Sequence, residues 1–538
     1  MERELELFLN DLLKEIIPLT REAHIAYFNA SISGKQEDYQ KASRLELKLS
    51  KIYSNKKTFA GIKRFKNSKS INDQFLKRQI ELLYNEFLSN QIDEKLIEKI
   101  IILSTKVEEK FATYRASVNG KNLTDNEIDL VLETSLDSDE LEKTWKASKD
   151  IADTIVDNVL TLVKLRNEGA KSLGFNNYHE MSLALNEQNI DDMLKLFDDL
   201  DNLTSKEFLS LKEEIDTFLS KRYGIAKGKL MPWHYQDKFF QQGPKIYNVD
   251  LDKYFENFDV VELTRKYYNG INLNIDDLIE KSDLYEKEGK YQHAYCTDID
   301  RSGDIRVVCN VKPNYKWMGT LLHEFGHAVY DKFINPKLPW LLRSHAHIFT
   351  TEAVAMLFGR FAADPAWLYD VAGVNKEEIK KNSDDCFNSL KLEQITFSRW
   401  VQVVFRFEKE LYSNPDQDLN KLWWELVEKY QGIKKPEGRN KPDWASKIHI
   451  ALYPAYYHNY ILGELLASQL YFYIKDKVLG LSKSTFESFA NKKEVGNYLK
   501  NLFFSYGAVY PWNELIEKST GEPLTPKYYA AQFVQNKE

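Results

Sequence analysis

His323 and His327 stand four residues apart in the run His323-Glu324-Phe325-Gly326-His327. Residues four apart on a helix share a face, so both imidazoles point the same way. Neutral imidazole suits zinc, and Glu324, one residue round the helix, is placed to take a proton from a metal-activated water. That is the chemistry of metal-assisted hydrolysis. The five-residue pattern also arises by chance, so its weight depends on a third ligand. His345 and His347 are near candidates, while Phe333 occupies the position where an extended form of the pattern needs a histidine. Glu352 lies inside the otherwise apolar run Thr350-Thr351-Glu352-Ala353-Val354-Ala355-Met356-Leu357-Phe358. A carboxylate is costly to bury there unless it is paired or metal-bound, which makes Glu352 the better ligand. Two histidines and a glutamate leave the fourth zinc position open, as a catalytic site requires.

These side chains need a buried helix to hold them. Met318, Leu322, Phe325 and Val329 form an apolar stripe at helical spacing. Asn314 after Pro313 can cap its start, and Asn335-Pro336 can end it. Just before it, residues Tyr291 to Thr297 and Ile305 to Val311 are β-rich, and Asp300 to Asp304 between them has turn chemistry. A small hairpin is expected there. Pro18 and Pro232 bracket a long proline-free stretch, which favours continuous helices. Within it Ile151, Ile155, Val159 and Leu162 recur at helical spacing, with Gly174 as a stop. The first hundred residues are rich in Lys and Glu with the same period, reading as exposed helices: a lid, or a plain bundle. The expectation is a mostly α protein with a small antiparallel hairpin or sheet beside the zinc helix. No linker divides it. Residues 1–110 read as the N-terminal helical lid region and 111–538 as one helical catalytic body with two subdomains.

Of the 538 residues, 43% are hydrophobic and 29% charged, the balance of an ordinary soluble protein with room for a large core. The net charge of −7 gives no basic footprint for nucleic acid. Three cysteines are too few for a disulfide framework. There is no apolar run of transmembrane length, and the acidic, amphipathic start does not read as a signal peptide. A cytoplasmic location is expected, or a secreted or periplasmic one if a leader has been removed.

A second cluster, Lys447 to Tyr460, is dense in His and Tyr donors. Tyrosine-rich stretches are ordinarily core; the functional reading is that these donors stabilise the oxyanion of a tetrahedral intermediate.

Taken in order, these segments resemble the angiotensin-converting enzyme family of zinc peptidyl dipeptidases, and less closely the thimet oligopeptidase and oligoendopeptidase F relatives. The blocks that carry the resemblance are Gln292-His293-Ala294 with Asp304-Ile305-Arg306, and Leu322 to His327. Leu338 to Arg343 with Glu352-Ala353, and Asp443 to Ile450 with Tyr457 and Tyr460, complete them. The resemblance implies a gluzincin-type fold with a deep central cleft and one Zn2+ per chain bound by His323, His327 and Glu352. It implies Glu324 as general base and His449 and Tyr460 as oxyanion stabilisers. His293 and Ala294 on an edge strand would contact substrate. Lys447 and Tyr457 would hold the substrate's free C-terminal carboxylate, and Gln236 is a weaker match for the same task. A cation and a phenol gripping that carboxylate would fix how many residues lie beyond the scissile bond, giving dipeptide release.

Several positions depart from the family pattern. Tyr460 lies one residue further from His449, which an insertion near Tyr453-Pro454 would explain; otherwise Tyr456 competes with Tyr457. Asn459 stands where animal enzymes have a chloride-binding arginine. Gln292 replaces one half of a family disulfide whose other half would be Cys309, leaving Cys296 as an alternative partner. Met356 replaces an acidic residue four after the ligand Glu352, so the zinc histidines need another orienting partner.

The expected activity is hydrolysis of short peptides with release of C-terminal dipeptides, by Glu324-assisted attack of a zinc-activated water. An oligoendopeptidase on the same scaffold and an inactive peptide-binding relative are the alternatives. Expected partners are oligopeptide substrates, without nucleic acid or membrane, in a monomer or weak homo-oligomer.

Overall fold

The computed structural model describes residues 1–247, 249–481 and 487–534. Helices dominate, as expected; among the described residues the strands form two two-stranded antiparallel sheets. No helix among the described residues is long and apolar enough to cross a membrane. The chain groups into two compact units that interleave along the sequence. The first comprises Met1–Gln91, Val249–Phe387 and Leu462–Tyr528; the second comprises Ile92–Asn248, Asn388–Ile461 and Tyr529–Glu538. This division differs from a boundary near residue 110.

Residues 1–91 share a core with the first unit. Leu5, Leu9 and Ile16 of helix Glu2–Ser33 pack with Ile62 and Phe65 of Lys56–Lys66, Ile80, Leu83 and Phe87 of Gln74–Ser89, and Trp340 and Leu341. Further along the first helix, Phe28 packs on Ile299 and Val308 of the hairpin. That helix runs through Pro18, which the sequence reading treats as a breaker. A proline forfeits one helical hydrogen bond. Here Ile16 and Thr20, buried on either side, hold the helix to its neighbours.

The expected hairpin pairs Tyr295–Asp298 with Ile305–Val308, Tyr295 opposite Val308 and Asp298 opposite Ile305. It is shorter than the β-rich runs. Its turn is tight: Asp298 accepts from the Arg301 N–H at 2.8 Å, and Arg301 is left-handed at φ 55°. Beyond the hairpin, the Cys309 N–H turns to the Asp283 carbonyl at 2.9 Å.

In the second unit, helix Ile151–Ser172 buries Ile155, Val159 and Leu162 completely, and the chain turns at left-handed Gly174 as expected. The strands Ala116–Val118 and Lys121–Leu123 were not anticipated. Their signal is the Asn119-Gly120 pair between them, both with positive φ, which suits a two-residue hairpin turn.

Candidate active site

Helix Tyr315–Lys332 carries the first two ligands, with the Asn314 side chain accepting from the Trp317 N–H at 2.9 Å. Met318, Leu322, Phe325 and Val329 are all fully buried, so the apolar stripe fixes the helix's rotation. The third comes from helix Ile348–Gly359, whose N-cap His347 accepts from the Phe349 N–H at 3.2 Å. Among the described residues, His323, His327 and Glu352 form the only group of metal-binding side chains. His323 Nε2 and His327 Nε2 lie 3.3 Å apart, and Glu352 Oε2 is 3.6 Å from the first and 3.8 Å from the second. Ligands about 2.0–2.1 Å from a tetrahedral ion stand about 3.3–3.4 Å from one another. The donor set and its spacing therefore fit zinc. His345, the rival in sequence, points its Nδ1 toward Asp331 at 3.8 Å.

Two glycines permit this approach. A Cβ on Gly326 would meet the Ala355 Cα at 2.7 Å, so the helices can cross this closely only with glycine at the fourth position of the motif. A Cβ on Gly463 would meet Met356 Sδ at 3.0 Å and Glu352 Cβ at 3.3 Å. The orienting partner that Met356 cannot supply is Thr351, whose Oγ1 lies 2.7 Å from His327 Nδ1. With Nδ1–H donating to that hydroxyl, Nε2 keeps its lone pair for a metal. Nothing in the local pattern marked Thr351.

Burial sets the charge states of the candidate ligands. It lowers His323 to about 4 and pushes His327 down further with help from His323 and His345. Both imidazoles are thus neutral, the form that coordinates metal. Burial, then the neighbouring Glu352 charge, raises Glu324 to about 8. Burial, then Glu464, raises Glu352 to about 7. The Glu352 charge bears on Glu324, and a cation held by the ligand cluster would favour the ionised form of both.

The remaining candidates of the first unit are His293 and Ala294. The strand begins at Tyr295, so neither is on it; His293 is exposed in a bend, its ring 5.3 Å from that of Tyr291. Cys296, Cys309 and Cys386 are all free. Cys296 stands opposite Val307, which makes Cys309 its diagonal neighbour across the strands. Diagonal positions are about 7–8 Å apart, beyond ordinary disulfide reach.

The second unit holds the donor cluster. Lys447 caps the short helix Ile448–Leu452, and His449 lies in it. The His449 ring meets Tyr457 edge-on at 4.8 Å, and Tyr457 meets Tyr460 at 5.3 Å. His449 Nδ1 is buried without a hydrogen-bond partner among the described residues. Burial, then the charge of Lys447, lowers His449 to about 4. Lys447 Nζ sits 5.2 Å from the Tyr457 ring and donates to Gln241 Oε1 at 2.5 Å. Burial lowers it to about 8. Gln241 therefore stands beside Lys447. Gln236, the sequence candidate, is engaged elsewhere: its Nε2 donates to the Glu133 carbonyl at 3.0 Å and its Oε1 accepts from the Lys245 N–H at 3.1 Å.

Between Tyr453 and Tyr457 the chain turns through left-handed Ala455, whose N–H donates to Glu408 Oε1 at 3.2 Å. Asn459 is buried and its Oδ1 accepts from Gln188 Nε2 at 2.9 Å, while His458 Nε2 is 2.7 Å from Gln188 Oε1. Asn459 is thus held by a neutral amide, which His458 also meets.

The model of Peptidase family M3 matches residues 139–535, and that of angiotensin-converting enzyme matches residues 1–227. The angiotensin-converting enzyme of Theromyzon tessulatum is 26% identical over 45% of this chain and 40% of its own length. Thermostable carboxypeptidase 1 of Pyrococcus furiosus is 23% identical over 58% of this chain and 64% of its own. Mitochondrial intermediate peptidase of Vanderwaltozyma polyspora is 22% identical over 74% of this chain and 63% of its own. In each case the chain spans less than two thirds of the relative's length.

Proposed function

The chain belongs to Peptidase family M3, a family of zinc metallopeptidases, and from that premise we propose that it releases dipeptides from the free C-termini of short peptides. His323, His327 and Glu352 would hold the zinc. Bound there, zinc supplies a Lewis acid that polarises the scissile carbonyl and makes water acidic enough to attack near neutral pH. Glu324 takes the proton of the attacking water and delivers it to the departing amine. His449 and Tyr460 stabilise the negative charge on the former carbonyl oxygen. His293 and Ala294 contact the substrate, and Lys447 with Tyr457 binds its terminal carboxylate.

The observation that carries dipeptide release is Lys447. It is 8% exposed, and its ammonium faces a neutral amide and aromatic rings. Among the described residues no carboxylate lies at ion-pair distance from it, although the charge of Asp237 reaches it, and a buried ammonium so placed favours an anionic ligand. The test is hydrolysis of one peptide with a free and with an amidated C-terminus, products mapped by mass spectrometry. Dipeptide release from the free form alone is expected; equal cleavage of both forms rejects this reading.

The second reading is an oligoendopeptidase. It is favoured by the extent of the Peptidase family M3 match and by the likeness to a mitochondrial intermediate peptidase over 74% of the chain. Internal cleavage insensitive to end-blocking would establish it. An inactive binder is disfavoured by the intact Glu324, which binding alone does not require.

A further inference from the structure

The second unit contains a cavity of about 760 Å³ into which Lys447 and Gln241 both face. A second lysine lines it: Lys149, the last residue of helix Ser138–Lys149. Lys149 is 3% exposed, and its Nζ has no hydrogen-bond partner among the described residues. That nitrogen lies 3.2 Å from the Phe239 ring centroid and 5.3 Å from that of Trp145. Lys447 Nζ lies 5.5 Å from the same Phe239 ring. The two lysine amino groups thus share one aromatic wall of one cavity, where burial holds Lys149 well below the ordinary lysine range, so that an incoming anion would favour its charged form.

Most of the other charged groups lining this cavity are engaged: Arg115 donates to the Ala112 and Tyr114 carbonyls at 3.3 and 2.7 Å, while Glu108 is exposed to solvent. Lys238 holds Asp125 at 2.6 Å and Asp129 at 3.0 Å. Lys245 pairs with Glu133. Asp237 Oδ1 accepts from the N–H groups of Phe239 and Gln241, at 2.8 and 3.0 Å. Asp443, whose charge reaches Lys149, is engaged with Arg439 through two bonds of 2.6 and 2.7 Å. Lys149 and Lys447 remain without a carboxylate at ion-pair distance among the described residues. Aromatic faces compensate a buried ammonium only in part. An incoming carboxylate at each would compensate it far better.

We propose that this cavity receives a peptide whose C-terminal residue is Asp or Glu, with Lys447 on the main-chain carboxylate and Lys149 on the side-chain carboxylate. This rests on the reading of Lys447 as the clamp for the substrate's C-terminus, and extends it to side-chain choice. An aspartate or glutamate at the end of a peptide carries its two carboxylates on one short carbon skeleton, matching two lysines that share one ring. A neutral last residue leaves Lys149 unpaired, and its isosteric amide offers no charge. The site therefore discriminates Glu from Gln, which have nearly the same shape.

The test uses the zinc-loaded full chain and two N-blocked hexapeptides identical except for Glu or Gln at a free C-terminus. The wild type is expected to favour the Glu peptide in kcat/KM by roughly tenfold or more. Lys149→Met, which keeps the apolar stem over Trp145 and Phe239, brings the ratio to about one, whereas Lys149→Arg retains a preference for Glu. A wild-type ratio near one overturns the proposal without any variant. An unchanged ratio in Lys149→Met also overturns it. Either result with dipeptide release intact rejects the acidic subsite alone. Internal cleavage of both peptides rejects the clamp, and the subsite with it.

Discussion

Gly326 and Ala355 meet backbone to backbone: a Cβ added to Gly326 would lie 2.7 Å from the Ala355 Cα. The contact ties the helix of His323 and His327 to the helix of Glu352. Gly326→Ala forces the two helices apart, because the obstructing atom is main chain and cannot rotate away. The expected cost is roughly 1–3 kcal/mol of stability, typical of overpacking in a close-packed core. It should be accompanied by loss of zinc affinity, since the three ligands no longer meet. Thermal unfolding and zinc titration of the variant check both parts; wild-type zinc affinity would show that the contact does not set the ligand geometry.

Glu324→Gln keeps the shape of the side chain and removes the base. Glu324 is 7% exposed and is not one of the three clustered ligands. Zinc content should therefore stay stoichiometric while kcat falls, by roughly a hundredfold to ten-thousandfold for loss of a positioned general base. Turnover of a fluorogenic peptide, with metal analysis of the same sample, separates the two quantities. Unchanged turnover would refute the assignment.

Thr351→Val removes the hydroxyl 2.7 Å from His327 Nδ1 and leaves the side-chain volume nearly intact. The imidazole then loses the partner that holds its orientation and tautomer. Zinc affinity should drop by roughly ten- to a hundredfold, the usual effect of losing such an outer partner. Competition with a chelator of known affinity measures it. Adding zinc in excess should restore much of the activity, which distinguishes weakened binding from misfolding.

How far the site was legible depends on the range of the interactions involved. His323, Glu324, His327, the cap at Asn314 and the apolar stripe all lie within one helix, where spacing along the chain is spacing in space. Glu352 could be picked out because a lone carboxylate in an apolar run is an energetic anomaly. Thr351 was not legible: a threonine beside a ligand looks like any other until His327 of another helix meets it. Lys149 and Gln241 were missed for the same reason, since neither sits in a pattern and only the folded second unit brings them to one cavity with Lys447. Pro18 misled because local rules cannot see that Ile16 and Thr20 anchor the helix on both sides. The Asn119-Gly120 turn, by contrast, was written plainly in the local sequence.

The turn that presents Tyr457 and Tyr460 should also make stability depend on pH. Glu408 is 1% exposed; its Oε1 accepts from the Ala455 N–H, and its Oε2 has no hydrogen-bond partner among the described residues. Burial raises its carboxyl to about 8 from the ordinary 4.5, against the opposing pull of the Ala455 N–H and Arg166. The folded protein therefore holds this proton more tightly than the unfolded chain. Between about pH 4.5 and 8 the folded state binds more protons at this site, so its contribution to stability falls as pH rises through that window. Below the window the contribution is constant, and above it the full destabilisation is present. Glu408→Gln keeps the acceptor for Ala455 and cannot ionise. Urea unfolding of both proteins at pH 6 and pH 9 should show the wild type losing more stability than the variant across that interval. Equal losses would mean that Glu408 is ionised throughout and balanced by Arg166.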